Sequence, residues 1–218
     1  MPSSTPRGRL AALFSTPVIF DEIENSAVLN RQLEAAILAR RDSDDGLRLS
    51  NRGGWQSRHD FSDWSGEAGD RLLKQATDLA STYTTSTGND VVARWLVDSW
   101  ANVSGSGSFN MAHVHGATFW SCVYYVSVGE GEGGALILHD PRMPALRMHA
   151  PHYRFKDLGA EVAVDIKPKP GMMILFPGWL SHHVEPWRGS GTRISVAMNI
   201  RAVPAQQFQA TKSMGPVE

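Results

Sequence analysis

The chain has 218 residues, 42% of them hydrophobic, and its 21 basic against 22 acidic residues give a formal net charge of −1. That length suits one globular domain with an N-terminal elaboration, and a charge so close to zero supplies neither the basic footprint of a nucleic-acid binder nor a cationic run for a membrane surface. The single cysteine, Cys122, rules out an internal disulfide, the apolar piece Leu10 to Phe14 is too short for a signal-peptide core, and no stretch is long enough to cross a bilayer, so a cytoplasmic location is expected.

In chain order, an extended segment from Leu13 to Phe20 comes first. Ser26 is then placed to cap a helix whose Leu29, Leu33, Ala36 and Ile37 form one apolar stripe, with Arg40 and Arg41 suited to its C-terminal dipole. Asn51-Arg52-Gly53-Gly54-Trp55-Gln56-Ser57 is a glycine-rich loop without phosphate-loop spacing, and it reads as a plain loop or the wall of a substrate entrance. A second helix begins near Ser65 and carries Leu72, Leu73, Ala76, Leu79 and Ala80 on its buried side.

From residue 91 the pattern changes to short β-prone runs punctuated by Gly and Pro. The predicted strands are Val91 to Val103, Phe109 to His115, Phe119 to Val128, Ala135 to His139, Glu161 to Ile166, Met172 to Phe176, His182 to Pro186 and Arg193 to Ala202. Eight antiparallel strands of this kind suit a jelly roll. The chain therefore divides into an N-terminal helical elaboration (1–90), a β core (91–203) and a polar tail (204–218), all in one domain, with the helices outside the larger sheet.

The chemistry-bearing signal lies inside that core. In His113-Val114-His115, alternate residues of an extended strand project to one side, so two imidazoles can aim at one point while Val114 packs on the other face. Taken alone, such a pair is also what two ordinary polar side chains on an amphipathic strand look like. A third imidazole from His182 would complete a triangular face of ligands with coordination positions left open. His183 faces the opposite way from His182, and His139, His149 and His152 are read as solvated histidines rather than a second metal site.

Further along, Arg193, Ser195, Ala197 and Asn199 share one strand face, and Ile194, Val196 and Met198 share the other. Small and polar groups thus line a cavity while the aliphatic ones pack. A guanidinium inside a β-barrel is costly to bury alone, but its planar fork suits a carboxylate supplied by a ligand; a structural salt bridge is the alternative account.

These segments resemble the 2-oxoglutarate and Fe(II)-dependent oxygenases, most closely the prolyl-hydroxylase-like branch with its bacterial and phage members. The resemblance runs from Trp100 to Ile200, through His113, Tyr125, the stretch Gly131 to Gly134, Phe176-Pro177, His182 and Arg193-Ile194-Ser195, in that order. It implies a double-stranded β-helix of the cupin-like kind. It also implies iron at His113 and His182, and Arg193, with Tyr125 and Ser195, on the distal carboxylate of 2-oxoglutarate. Asn102 and Asn110 could offer amides to the co-substrate or the substrate.

One position departs from the family pattern. Where most members place Asp or Glu, this chain has His115, so the metal site becomes His113, His115 and His182, with one more unit of positive charge than a carboxylate site. Alternatively His115 points away and leaves a two-histidine site; Asp140, in a Pro-bounded turn, is a weaker substitute.

The leading expectation is a dioxygenase that consumes O2 and 2-oxoglutarate and hydroxylates a small molecule or a peptide. The other readings are a three-histidine dioxygenase that acts on a thiol or chelating substrate without the oxoacid, and a catalytically silent metal- or sugar-binding jelly roll. Trp120 and Trp179 are expected near the ligands as a substrate platform, Cys122 in the core, and an exposed edge strand would permit a homodimer.

Overall fold

The computed structural model describes residues 13–86, 92–143 and 162–204. His149, His152, the tail from residue 205 and most of the Leu10 to Phe14 piece lie outside the described residues. The elements are β1 (Ile19–Glu22), α1 (Ala27–Arg41), β2 (Asn51–Arg52), β3 (Trp55–Gln56), α2 (Phe61–Trp64), α3 (Gly66–Thr82), β4 (Val92–Ser104), β5 (Phe109–His113), β6 (Trp120–Ser127), β7 (Leu136–His139), β8 (Ala163–Ile166), β9 (Met172–Pro177), β10 (His182–Val184) and β11 (Arg193–Pro204).

The strands form two antiparallel sheets, one of six in the order β1-β9-β6-β11-β4-β3 and one of five in the order β2-β5-β10-β7-β8. This is the jelly roll expected from the strand pattern. The glycine-rich loop contributes more than a loop: β2 pairs with β5 in the small sheet and β3 with β4 in the large one, so residues 51–56 bridge the two sheets at one edge. Two-residue strands carry too little periodic signal to be read from sequence.

Each face of the large sheet has its own apolar layer. Ile194, Val196, Met198 and Ile200 of β11 point outward and pack with Leu29, Leu33 and Ile37 of α1, Leu72, Ala76 and Ala80 of α3, and Phe61 of α2. The helices therefore cover the large sheet, as their stripes imply. The opposite face, with Tyr125, Ile174 and Phe176, meets Leu136, Leu138 and Ile166 of the small sheet. Cys122 is buried in the helix-side layer, and burial pushes its thiol well above the usual range.

Several local expectations are corrected. Ser26 occupies the N-cap of α1 but makes no capping bond from its side chain, because it has helical rather than extended dihedrals. The strand β5 stops at His113, so His115 lies beyond its end, and Val114 is half exposed instead of packed. Trp120 is buried on the helix side, its Nε1–H donating to Thr84 Oγ1 at 2.9 Å. Trp179 is exposed and lines a separate groove with Pro17, Phe119, Trp120 and Pro177. Neither tryptophan reaches the cavity described next.

Candidate functional site

Two rows of side chains face one another across the interior, and strand register sets both. In the small sheet His182 of β10 sits directly opposite His113 of β5. In the large sheet Ser195 of β11 pairs with Tyr125 of β6 on one side and with Asn102 of β4 on the other. Directly opposed residues project to the same face, so Tyr125, Ser195 and Asn102 form a lateral row, with Arg193 two residues further along β11 on that face. A cavity between the rows is lined by all of these, and by Ser50, Trp100, Asn110, Phe176 and Ala197 among others.

His115 joins the group from beyond the strand end. Its backbone N–H donates to the Gly178 carbonyl at 2.8 Å, which ties the segment after β5 to the turn that follows β9. A Cβ on Gly178 would lie 2.4 Å from the Thr118 carbonyl oxygen, so only glycine permits this close approach of the two backbones. As a result the ligand nitrogens of His113, His115 and His182 all lie within 4.8 Å of one another. The rings of His113 and His182 are 4.3 Å apart, and those of His115 and His182 5.1 Å.

The local bonds leave the imidazoles ready to ligate. Nδ1–H of His182 donates to the Leu180 carbonyl at 2.8 Å, and Nδ1–H of His113 donates to the Met111 carbonyl at 2.6 Å. A carbonyl can only accept, so the proton sits on Nδ1 and the lone pair on Nε2 is free for a metal. Burial, assisted by neighbouring His113, holds His182 down to about 3, with the bond to Leu180 opposing. Burial, with His113 and His59, holds His115 down to about 4. Both rings are therefore neutral near pH 7, the state in which imidazole binds a metal.

At the other end of the cavity Arg193 is buried, and its Nε has no hydrogen-bond partner. Its guanidinium carbon lies 5.8 Å from the centroid of the Tyr125 ring, within cation–π range. Burial pushes the Arg193 pKa down and the Tyr125 pKa up, which keeps the phenol protonated and able to donate. A structural salt bridge does not account for this arginine, since the titratable group beside it is that neutral phenol and no Asp or Glu lines the cavity among the described residues. Asn102 Oδ1 is likewise buried without a partner, and Asn110 donates Nδ2–H to Ser50 Oγ at 3.3 Å.

The donor set fits a divalent metal with an acidic chelator beside it. Three imidazole nitrogens converge, and a buried guanidinium shares the same cavity, suited to a carboxylate. The eight residues expected to hold the metal or the co-substrate all line this one cavity. Asp140 does not: it forms an ion pair with Arg142 at 2.6 Å. His183 turns away from the cluster, as strand alternation requires, and its Nδ1 lies 2.8 Å from His139 Nε2.

Two aromatic residues at the mouth were not singled out. Trp100 is buried in the cavity wall, 5.9 Å from His115 ring to ring, and the exposed ring of His59 stacks on it at 4.5 Å. Trp100 was one of seven tryptophans with no local mark to separate it. His59 reaches the site only because β2 and β3 fold the glycine-rich loop against both sheets.

Residues 98–199 match the family model described as "Putative 2OG-Fe(II) oxygenase", a family that uses Fe(II) and 2-oxoglutarate. Among solved structures, a Pseudomonas putida prolyl-4-hydroxylase is similar with a TM-score of 0.63 at 18% identity, over 87% of this chain and 94% of that one. A Trichoplax adhaerens prolyl hydroxylase, solved with a hypoxia inducible factor peptide fragment, gives 0.62 at 16% identity, over 90% and 87%. A viral collagen prolyl hydroxylase from Paramecium bursaria chlorella virus 1, solved as a 2-oxoglutarate complex, gives 0.57 at 18% identity, over 85% and 96%. No curated protein sequence matches the chain. The sequence pattern of residues 98–199 is thus similar to the 2OG-Fe(II) oxygenases, and the fold to that of the prolyl hydroxylases.

Proposed function

We propose, from the match of residues 98–199 to the 2OG-Fe(II) oxygenases and from the cavity that those residues build, that the protein is a 2-oxoglutarate-dependent dioxygenase hydroxylating a small molecule or a peptide. One observation carries the reading: three imidazoles converge within 4.8 Å in the same cavity as a buried guanidinium whose Nε lacks a partner. His113, His115 and His182 would hold Fe(II), and Arg193 would anchor the distal carboxylate of 2-oxoglutarate. When bound, the pair supplies activation of O2, coupled to loss of carbon dioxide from the oxoacid and oxidation of a substrate C–H bond.

The chain's own residues bind and orient. Tyr125 holds the guanidinium against its ring face and has a phenol proton to give a carboxylate oxygen, as has the Ser195 hydroxyl beside it. Asn102 and Asn110 offer amide groups from the cavity wall. Phe176 packs edge-on to His182 at 4.8 Å, fixing that ring and excluding water behind it. We take the whole chain as one functional unit, cytoplasmic in location and capable of self-association. No helix among the described residues is long and apolar enough to cross a membrane.

Anaerobic titration with Fe(II), with and without 2-oxoglutarate, tests the reading. A metal-to-ligand charge-transfer band should appear only with both, Arg193→Leu should weaken oxoacid binding while sparing iron, and His182→Ala should reduce both. Iron-loaded protein that never develops the band would overturn it. His115 in place of a carboxylate also suits a three-histidine dioxygenase acting on a thiol, which would take up O2 without forming succinate.

A further inference from the structure

The cavity wall includes Ser50, Trp100, Asn102, Asn110, Tyr125 and Ser195, and no Asp or Glu lines the cavity among the described residues. Its fixed charge is therefore that of Arg193 alone, because the three imidazoles are neutral ligands. A divalent metal raises the total to three positive charges, and the dianion 2-oxoglutarate cancels two. One uncompensated positive charge would remain in a site where Arg193 and His182 are buried, which is an unfavourable state unless a counter-charge accompanies it.

Among the described residues, the cavity lining provides none. Asp60, beside His59 at the mouth, accepts from Arg40 and from Trp64 Nε1, and Asp140 is paired with Arg142. His59 stands exposed on the face of Trp100, which lines the cavity, as a further donor. The carboxylates of Asp60 and Asp140 are thus already committed to arginines.

Resting on the function proposed above, we infer that the loaded site takes one monoanionic group besides 2-oxoglutarate, either a carboxylate of the substrate or a free inorganic anion. The histidine at position 115 creates this requirement, since an acidic ligand there would leave the loaded site neutral. A substrate bearing a carboxylate near its reacting carbon satisfies the charge count, with Asn110 in the cavity wall and His59 stacked on Trp100 beside it.

The experiment uses the full chain loaded with Co(II) and 2-oxoglutarate under argon, titrated with sodium chloride and, separately, with sodium acetate, against sodium perchlorate at equal ionic strength. A saturable change in the cobalt d–d bands with either salt supports the inference. Tighter acetate identifies a carboxylate, and tighter chloride a free inorganic anion. His115→Asp should weaken the anion by about ten-fold or more through removal of one unit of charge. Ser50→Asp, which adds a charge to the wall without touching a ligand, should do the same if the first variant fails to hold metal. No saturable change beyond perchlorate, or equal affinity in wild type and in a metal-loaded variant, overturns it. If 2-oxoglutarate binds and neither salt does, this inference alone falls; if 2-oxoglutarate itself does not bind, the proposed function falls with it.

Discussion

The bond from His182 Nδ1–H to the Leu180 carbonyl decides which ring nitrogen keeps its lone pair, and burial decides that the ring stays neutral. Neither fact is visible in a string of residues: the string contains His-x-His and a distant His, and the spacing alone is shared with ordinary polar pairs. The depressed values have a consequence for the metal-free protein. A histidine held at about 3 or about 4 when folded, but near 6.5 when unfolded, binds more protons in the unfolded state between those limits. Stability contributed by these rings is therefore full above about pH 6.5 and is lost as the pH falls towards 4 and then 3. Urea denaturation of the metal-free chain at a series of pH values should show this decline, and His182→Asn should flatten it; an unchanged slope in the variant would contradict the neutral buried state.

At the scale of elements, β11 does two jobs through one alternation. Its even-numbered residues 194 to 200 pack on the helices, and its odd-numbered residues face the cavity. That division was legible in the sequence, as were the stripes of α1 and α3, because period-2 and period-3.6 patterns are local. The path of Arg193 was not. A Cβ on Gly134, whose φ is +66°, would lie 3.2 Å from Arg193 Cδ and 3.1 Å from Trp187, so the bare backbone of that glycine is what lets the arginine run inward. Gly134→Ala should displace the guanidinium and raise the dissociation constant for 2-oxoglutarate by about ten-fold, a loss of the order of one hydrogen bond to a charged group. Iron affinity should hold, since the imidazoles stand on other strands. Calorimetric titration of each ligand separates the two effects, and an equal loss in both would place Gly134 in general packing instead.

For the whole molecule, the site exists only where two sheets close on each other. His113 and His182 come from the small sheet, Arg193, Tyr125, Ser195 and Asn102 from the large one, and His115 from a segment held by the turn after β9. A metal that binds these groups in the folded state alone should stabilise the fold as a unit. At a hundred times its dissociation constant it adds about 2.7 kcal/mol to unfolding, which for a chain of this size raises Tm by about 5–10 °C. Thermal unfolding followed by circular dichroism should show that rise with Co(II) or Fe(II), and none in His182→Ala.

The residues of the sequence determined the fold class, the helices with their buried faces, the ligand candidates and the order of motifs, because each is written in a local periodicity or a contiguous pattern. The tertiary structure decided that His115 reaches the cluster from beyond its strand, that Trp100, with His59 stacked on it, lines the cavity and Trp120 and Trp179 do not, and that Arg193 has no acidic neighbour in its cavity among the described residues. Those outcomes depend on which strands become neighbours and on how closely two backbones approach at Gly178 and Gly134, and contacts between segments distant in the chain leave no periodic mark on either segment.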